Sequence, residues 1–211
     1  MLKRALTILG TLVALSVPGW SSTVSIDLSG AVTGTVVSGV GASFAETFAG
    51  QTIVGGTGIS GSPTNALTLL GSGTLDVAFF GSSNSILPAP GNQGPLSILL
   101  GSNANSFTWT MGFGNPPSSI SVSLFAANGS LVNSSVLSIL DGYNVYTLSG
   151  LGTFRGLTFF NNNDPAGVRF TEMSYNSVTS SVPEPATVGT LIGGLILLVG
   201  LARRRSKLGL A

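Results

Sequence analysis

The feature that most constrains the fold is a pair of short runs in which apolar and polar residues alternate. Within residues 119–125, Ile120, Val122 and Leu124 alternate with serines. The dipeptide Asn128-Gly129, which is typical of two-residue hairpin turns with positive φ, precedes a second run over residues 130–136. Because side chains two apart lie on one side of a strand, we predict an antiparallel hairpin with a buried apolar face and a solvent-exposed serine face.

The body of the chain, residues 22–177, repeats this pattern and has no long segment with helical periodicity. Short runs of β-forming residues, separated by Gly, Asn, Ser and Pro, are typical of sandwiches and barrels. We therefore predict an all-β fold, an antiparallel β-sandwich that buries Phe170. The stretch 39–95 is richer in Gly, Ser and Pro and gives one strand only. The predicted strands are residues 23–28, 31–37, 74–80, 106–113, 119–125, 130–136, 143–148, 154–160 and 168–175.

Composition excludes several classes of function. The chain contains no Cys and no His, which rules out disulfides, cysteine-ligated zinc, thiol nucleophiles and the Ser-His-Asp triad. The body contains two cations, Arg155 and Arg169, against six carboxylates, so we predict no nucleic-acid binding. Six carboxylates could include a glycosidase pair, but none lies in a recognisable motif. We predict that the protein is not an enzyme and has no cofactor or metal.

The amino terminus has the order of a secretory signal peptide. Lys3 and Arg4 precede an uncharged apolar run over residues 5–17, and Pro18-Gly19 and small residues follow. The apolar run is short for a membrane span. We predict a signal peptide over residues 1–21 and hence an exported protein.

The carboxyl terminus predicts one transmembrane helix. Residues 186–202 are uncharged and would form a helix of about 25 Å, the lower end of what crosses a bilayer. Arg203, Arg204 and Arg205 follow directly and should stop transfer and remain cytoplasmic, with the body outside. An ordinary membrane anchor would have the same two features.

A tripeptide narrows the interpretation of this tail. Pro183, Glu184 and Pro185 precede the Gly-rich apolar run and the arginine cluster, in that order and close to the end of the chain. The tail, over about residues 182–207, resembles the PEP-CTERM sorting signal of Gram-negative bacteria. The resemblance implies that the tripeptide is recognised by exosortase, a membrane-embedded protease or transpeptidase, which removes the helix and the arginines.

The same resemblance implies a destination and a division of the chain. Family members pass through the inner membrane as anchored precursors and then associate with the cell surface, exopolysaccharide or biofilm matrix. Residues 107–178 also resemble, more loosely, the jelly-roll-like bodies of such proteins, a resemblance that implies no catalytic residues. We divide the chain into a signal peptide (1–21), an extracellular β-sandwich (22–177) and a sorting signal (178–211).

Three further motifs allow two interpretations each. The oxygen-rich run Asn161-Asn162-Asn163-Asp164 fits a calcium loop or a turn, and one carboxylate favours the turn. Trp109 and Tyr143 could stack on a sugar ring or lie in the core, which is commoner for aromatic residues in strands. Residues 56–61 match the glycine spacing of a dinucleotide-binding loop, but no strand–helix unit surrounds them.

These observations favour an exported surface or matrix protein with a structural or adhesive body. The alternative is a dedicated carbohydrate- or calcium-dependent binding module, and a hydrolase is a third hypothesis. Possible partners are exosortase during processing and exopolysaccharide afterwards.

Overall fold

The structure of the chain, a computed structural model, describes residues 21–64, 66–80, 83–88 and 93–178. All regular secondary structure in these ranges is β. None of it is a helix long and apolar enough to cross a membrane. Three predicted features lie outside the described residues: the signal peptide up to residue 20, the tripeptide Pro183-Glu184-Pro185, and the apolar helix with Arg203, Arg204 and Arg205.

The strands are β1 (Ser21–Ser25), β2 (Val37–Ser38), β3 (Ala42–Ala45), β4 (Thr47–Phe48), β5 (Thr52–Val54), β6 (Gly58–Ser60), β7 (Leu69–Leu70), β8 (Asp76–Phe80), β9 (Ser83–Leu87), β10 (Leu96–Gly114), β11 (Ser118–Phe125), β12 (Leu131–Ile139), β13 (Gly142–Asn161) and β14 (Arg169–Val178).

Two long strands, β10 and β13, link the two layers of the fold. They pair with each other along their length, with a register shift between Leu99 and Ala104. Before the shift β10 pairs with β3, and after it with β14. The second half of β13 pairs with β11. The front sheet therefore contains the first half of β13, the second half of β10, β14, β1, β9 and β8. The back sheet contains β12, β11, the second half of β13, the first half of β10, β3 and β2.

Aromatic contacts show that the two sheets pack against each other. Phe159, in the back sheet, lies 5.1 Å from Trp109 and 5.1 Å from Phe170 in the front sheet, measured between ring centroids. All three side chains are buried. Ile120, Val122 and Leu124 are buried in the same cluster. The predicted all-β sandwich, and the burial of these residues and Phe170, are confirmed.

The predicted hairpin forms between β11 and β12, but its turn differs from the prediction. Ala126 N–H donates to Ser130 O, and Gly129 N–H donates to Ala126 O, both at 2.9 Å. Of the loop residues only Gly129 has positive φ (84°). The loop is therefore the three-residue type that ends in a left-handed glycine, and the two-residue prediction was wrong. The serine face is also less exposed than predicted, since Ser121 is buried and donates to Asn162 Oδ1.

The segment over residues 46–73 covers the outer face of the back sheet. The Phe48 ring packs edge-on against Phe125, and both residues are buried. Beneath it, Ser97 and Thr158 share a hydrogen bond of 2.9 Å, and Thr158 Oγ1 donates to Gln51 Oε1. Outward-facing positions of this sheet are thus buried by the segment. In the described residues the outer face of the front sheet has no comparable cover.

The amino-terminal half departs most from the predicted strands. The predicted strand at residues 31–37 was wrong, because Ala31 N–H donates to Leu28 O in a turn and Val32 and Val36 are exposed. The first half of β10 and the short strands β3, β4, β5, β6, β7 and β9 were not predicted.

Candidate functional site

The outer face of the front sheet, here called the polar face, presents two rows of hydroxyl and amide side chains. The rows cross β1, β14, β10 and β13, whose register places the members of each row directly opposite one another. Each of these residues is exposed or half-buried, and none is charged. The first row is Ser25, Ser174, Thr108 and Thr147, and the second is Thr23, Asn176, Ser106 and Ser149.

Strict alternation in β10 produces this face. Phe107, Trp109 and Met111 point into the core and are buried. Ser106 and Thr108, which alternate with them along the strand, therefore point outward. Hydrogen bonds tie neighbouring members of the rows together. Thr108 and Thr147 hydroxyls lie 3.0 Å apart, and Thr23 Oγ1 donates to Asn176 Oδ1 at 2.9 Å. The side chains are therefore held in a regular array that keeps further donors and acceptors free for a ligand.

An open groove of about 420 Å³ lies at one end of the polar face. Glycines at 150 and 152 bend β13 here, with φ of 70° and 99°. None of the lining residues is charged, so the groove can offer hydrogen bonds without net electrostatic attraction. Its lining is Asn105, Ser106, Ser149, Gly150, Gly152, Thr153 and Asn176.

An aromatic corner, formed by Phe113 and Tyr143, lies towards the other end of the polar face. The Tyr143 ring packs against Gly112, where a Cβ would come within 2.0 Å of the ring. The Phe113 ring is 5.7 Å from Tyr143, and the Arg169 guanidinium stacks on it at 4.6 Å. Phe113 has a φ of 66°, a strained conformation for a residue other than glycine. Tyr143 is 42% exposed, so part of its side chain lies at the surface.

A bulge in β14 adds a carboxylate to the middle of the face. The register with β10 shifts between Thr108 and Thr110, and Glu172 takes a φ of 49° at this point. Thr110 Oγ1 donates to Glu172 Oε2 at 2.9 Å. Bulges of this kind redirect a side chain. Glu172 gives this part of the face negative character.

The structure separates Trp109 and Tyr143, for which the sequence allowed either sugar stacking or a place in the core. Trp109 is 0% exposed and packs on Tyr146 inside the sandwich, so the commoner interpretation, a core residue, is confirmed. Tyr143 is exposed, as sugar stacking requires. The glycine motif at residues 56–61 lies in the β5–β6 hairpin, and no strand–helix unit surrounds it in the described residues.

The polar face was not identified from the sequence, although its strands were. The signal was present in residues 106–111, where hydroxyl residues alternate with Phe, Trp and Met. The face also needs β1 and β14 on one side and β13 on the other. That pairing is long-range and cannot be read from a local pattern.

The run Asn161-Asn162-Asn163-Asp164 forms a turn. Asp164 is buried, and its carboxyl oxygens accept hydrogen bonds from Asn115 N–H, Ser118 Oγ and Ala166 N–H at 2.8–3.0 Å. Asn161 Oδ1 accepts from the N–H groups of Asn163 and Asp164. The described residues contain no cluster of three or more metal-ligating side chains. The turn thus fastens the β13–β14 loop to the start of β11.

Replacing Asp164 by alanine should destabilise the protein by about 3 kcal/mol, because three donors lose a charged acceptor in a buried position. Asn163→Ala, in the exposed part of the same turn, should cost no more than about 1 kcal/mol, because its side chain accepts only from Ser119, which is not buried. Urea unfolding measures both. Addition of calcium or a chelator should leave the melting temperature of the wild type unchanged, and a rise with calcium would restore the calcium-loop interpretation.

Comparisons with known proteins find no sequence match and only weak structural similarity. Neither protein-family models nor curated proteins match the sequence. Among solved structures, a family 29 carbohydrate-binding module from Piromyces equi aligns over 74% of this chain and 91% of its own, with 8% identity and a TM-score of 0.38. A family 6 module from Clostridium stercorarium, in complex with cellobiose, aligns over 50% and 82%, with 15% identity and a TM-score of 0.33.

A larger protein is also similar over a small part of its length. The family 78 rhamnosidase of Bacillus sp. GL1 aligns over 60% of this chain but only 14% of its own, with 14% identity and a TM-score of 0.37. At such scores these likenesses carry no conclusion about function.

Proposed function

We propose that the body of this protein binds a neutral polysaccharide through the polar face. The observation that supports this most is the combination of uncharged hydroxyl and amide rows with the exposed residue Tyr143, on a face that nothing in the described part of the chain covers. A sugar ring has apolar C–H faces, which pack on aromatic rings, and an equatorial rim of hydroxyls, which exchange hydrogen bonds with groups such as these.

The dimensions of the face favour an oligosaccharide over a single sugar. Tyr143 and Ser149 are six residues apart on β13, a distance of about 20 Å at the rise of a strand. We propose that the glycan runs parallel to β13, with one unit stacked on Tyr143 and another in the groove beside Ser149. Affinity should then increase with oligosaccharide length until the chain spans both positions.

Electrostatics favour a neutral ligand. The body has two basic against six acidic side chains, a formal charge of −4. Glu172 lies on the polar face itself and would repel a uronic acid. We propose binding without hydrolysis, because no groove residue is a carboxylate and a glycosidase ordinarily needs two.

A glycan array that contains neutral glucans, mannans and galactans, with alginate and hyaluronan as acidic probes, tests this proposal. We expect binding to at least one neutral class. Tyr143→Ala should weaken it more than about tenfold, the equivalent of 1.4 kcal/mol, whereas Tyr143→Phe keeps the ring and should retain most of the affinity. Ser149→Trp should fill the groove and weaken binding, and Val36→Trp, in the loop before β2, is the matched control.

Two results would contradict the proposal. One is preferential binding of alginate or hyaluronan. The other is a set of affinities in which Tyr143→Ala and Ser149→Trp match the wild type while a neutral glycan still binds. In the second case the protein would bind glycans elsewhere on its surface.

For the whole chain we propose an exported protein that exosortase processes and that reaches the cell surface or the extracellular matrix. The support is the sequence of the two ends: the signal peptide, the tripeptide around Glu184, and the apolar run that Arg203 follows. A polysaccharide-binding body is compatible with this destination. Matrix retention would then come from the polar face, after removal of the membrane segment.

A further inference from the structure

Strand β12 forms one end of the ten-stranded sheet and pairs only with β11 in the described part of the chain. Its pairing with β11 is regular from Asn133 to Ile139. The opposite side of β12 therefore presents a row of backbone N–H and C=O groups. Such an edge is a template for another strand unless the sequence protects it.

The usual protection is missing from β12. Edge strands are normally short, or contain charged residues or proline. At the other end of the sheet β8 begins with Asp76, and β2 has two residues only. By contrast, β12 has nine residues, and residues 118–140 contain neither a charge nor a proline. Leu131 and Val136 are exposed on it.

We propose that a second copy of this chain pairs with β12, antiparallel, about a two-fold axis near Val136. In a pair of this kind the residue on the axis meets its own copy, so a charge there would face a like charge. An edge without charges avoids this repulsion. It also offers no charge with which to select a different partner. Val136, which is 66% exposed, would be covered by the Val136 of the second copy.

The symmetry of the pair has a functional consequence, which rests on the proposed function. A two-fold axis perpendicular to the back sheet joins the two back sheets edge to edge and leaves both front sheets on the same side. Both polar faces then point in one direction. A polysaccharide that is long enough could contact both, which would raise its apparent affinity by roughly 10²-fold or more without new contacts.

The absence of cysteine from the chain allows a direct test. Val136→Cys is introduced into the full-length protein, expressed in its host, and whole cells are oxidised with copper phenanthroline. We expect a covalent dimer in several-fold greater yield than from Val54→Cys, an exposed valine of β5 that serves as the matched control. Ser134→Cys and Ser138→Cys lie on the same face of β12 and locate the axis, since the yield should be highest nearest to it.

Sedimentation of the purified protein gives a second measurement. The wild type should sediment as a dimer and Val136→Lys as a monomer. Val136→Lys should bind a soluble neutral oligosaccharide as tightly as the wild type does, but should bind the same glycan more weakly when it is immobilised on a surface. The proposal is overturned if all three cysteine variants match Val54→Cys and the wild type is monomeric. A dimer that binds no neutral glycan would instead refute the proposed function and leave the pairing intact.

Discussion

Val122→Asp should destabilise the protein by about 4 kcal/mol or more, because it places an unpaired carboxylate between the two sheets. Val122 is 1% exposed in the middle of β11, with Phe159 of β13 on one side and Ser135 of β12 on the other. Neither neighbour has a positive charge that could pair with the new carboxylate. Small domains are stable by about 5–15 kcal/mol, so the variant should lose a large part of its stability.

The matched control is the same substitution at an exposed valine. Val54, in β5, is 55% exposed, and Val54→Asp should change the free energy of unfolding by no more than about 0.5 kcal/mol. Urea unfolding, followed by the fluorescence of the buried Trp109, measures both variants. Equal stabilities for Val122→Asp and the wild type would contradict the packing of the β11–β12 hairpin against the front sheet. Unprotected amides between residues 119 and 136 in hydrogen exchange would contradict it as well.

The outcome at the β11–β12 hairpin shows what local sequence determines. Alternation at Ile120, Val122 and Leu124 predicts both the strand and its buried side, because a one-residue slip would expose all three. The turn is harder to predict, since Asn-Gly suits both a two-residue loop and the end of a three-residue loop. The choice depends on the register, which the packing of the whole strand determines.

The covering segment shows what local sequence does not determine. Ser97 and Thr158 look like solvent-facing residues of a strand, yet both are buried because residues 46–73 fold over them. Strands of two or three residues within this segment form no periodic pattern that could be recognised. For the same reason, nothing in the sequence distinguished the covered face of the sandwich from the polar face.

At the candidate site, the sequence indicated one candidate residue and missed the others. Tyr143 and Trp109 each allowed a sugar-stacking or a core interpretation from their type alone, and Trp109 lies in the core whereas Tyr143 is exposed. Side chains alternate between the two sides of a strand, and Trp109 of β10 lies on the core side of the sheet whereas Tyr143 of β13 lies on the outer side. The sequence does not show which side of each strand faces the core. The groove depends on glycines in β13 and on Asn176 of β14, which the fold brings together from distant parts of the chain.

Glu184→Ala should leave membrane insertion intact and abolish processing of the tail. In the proposed sorting route, insertion would depend on the apolar run over residues 186–202 and on the arginines that follow, since an arginine costs roughly 2.5–3.5 kcal/mol at the membrane centre. None of these is changed. Recognition is different, because Glu184 is the only charge between Glu172 and Arg203. Pro183 and Pro185 favour an extended backbone on either side of it, which would display this carboxylate to a membrane enzyme.

The measurement is the mass of the mature protein and its location in a host that contains exosortase. The uncut Glu184→Ala protein should accumulate in the inner membrane, heavier by the tail, whereas Ser181→Ala, in the spacer just before the tripeptide, should be processed as the wild type is. If Glu184→Ala were trimmed and released at the normal rate, the carboxylate would not be the recognition element. The sorting hypothesis would then lose its main support. An ordinary membrane anchor would explain the apolar run and the arginines equally well, since both functions need the same helix and the same stop.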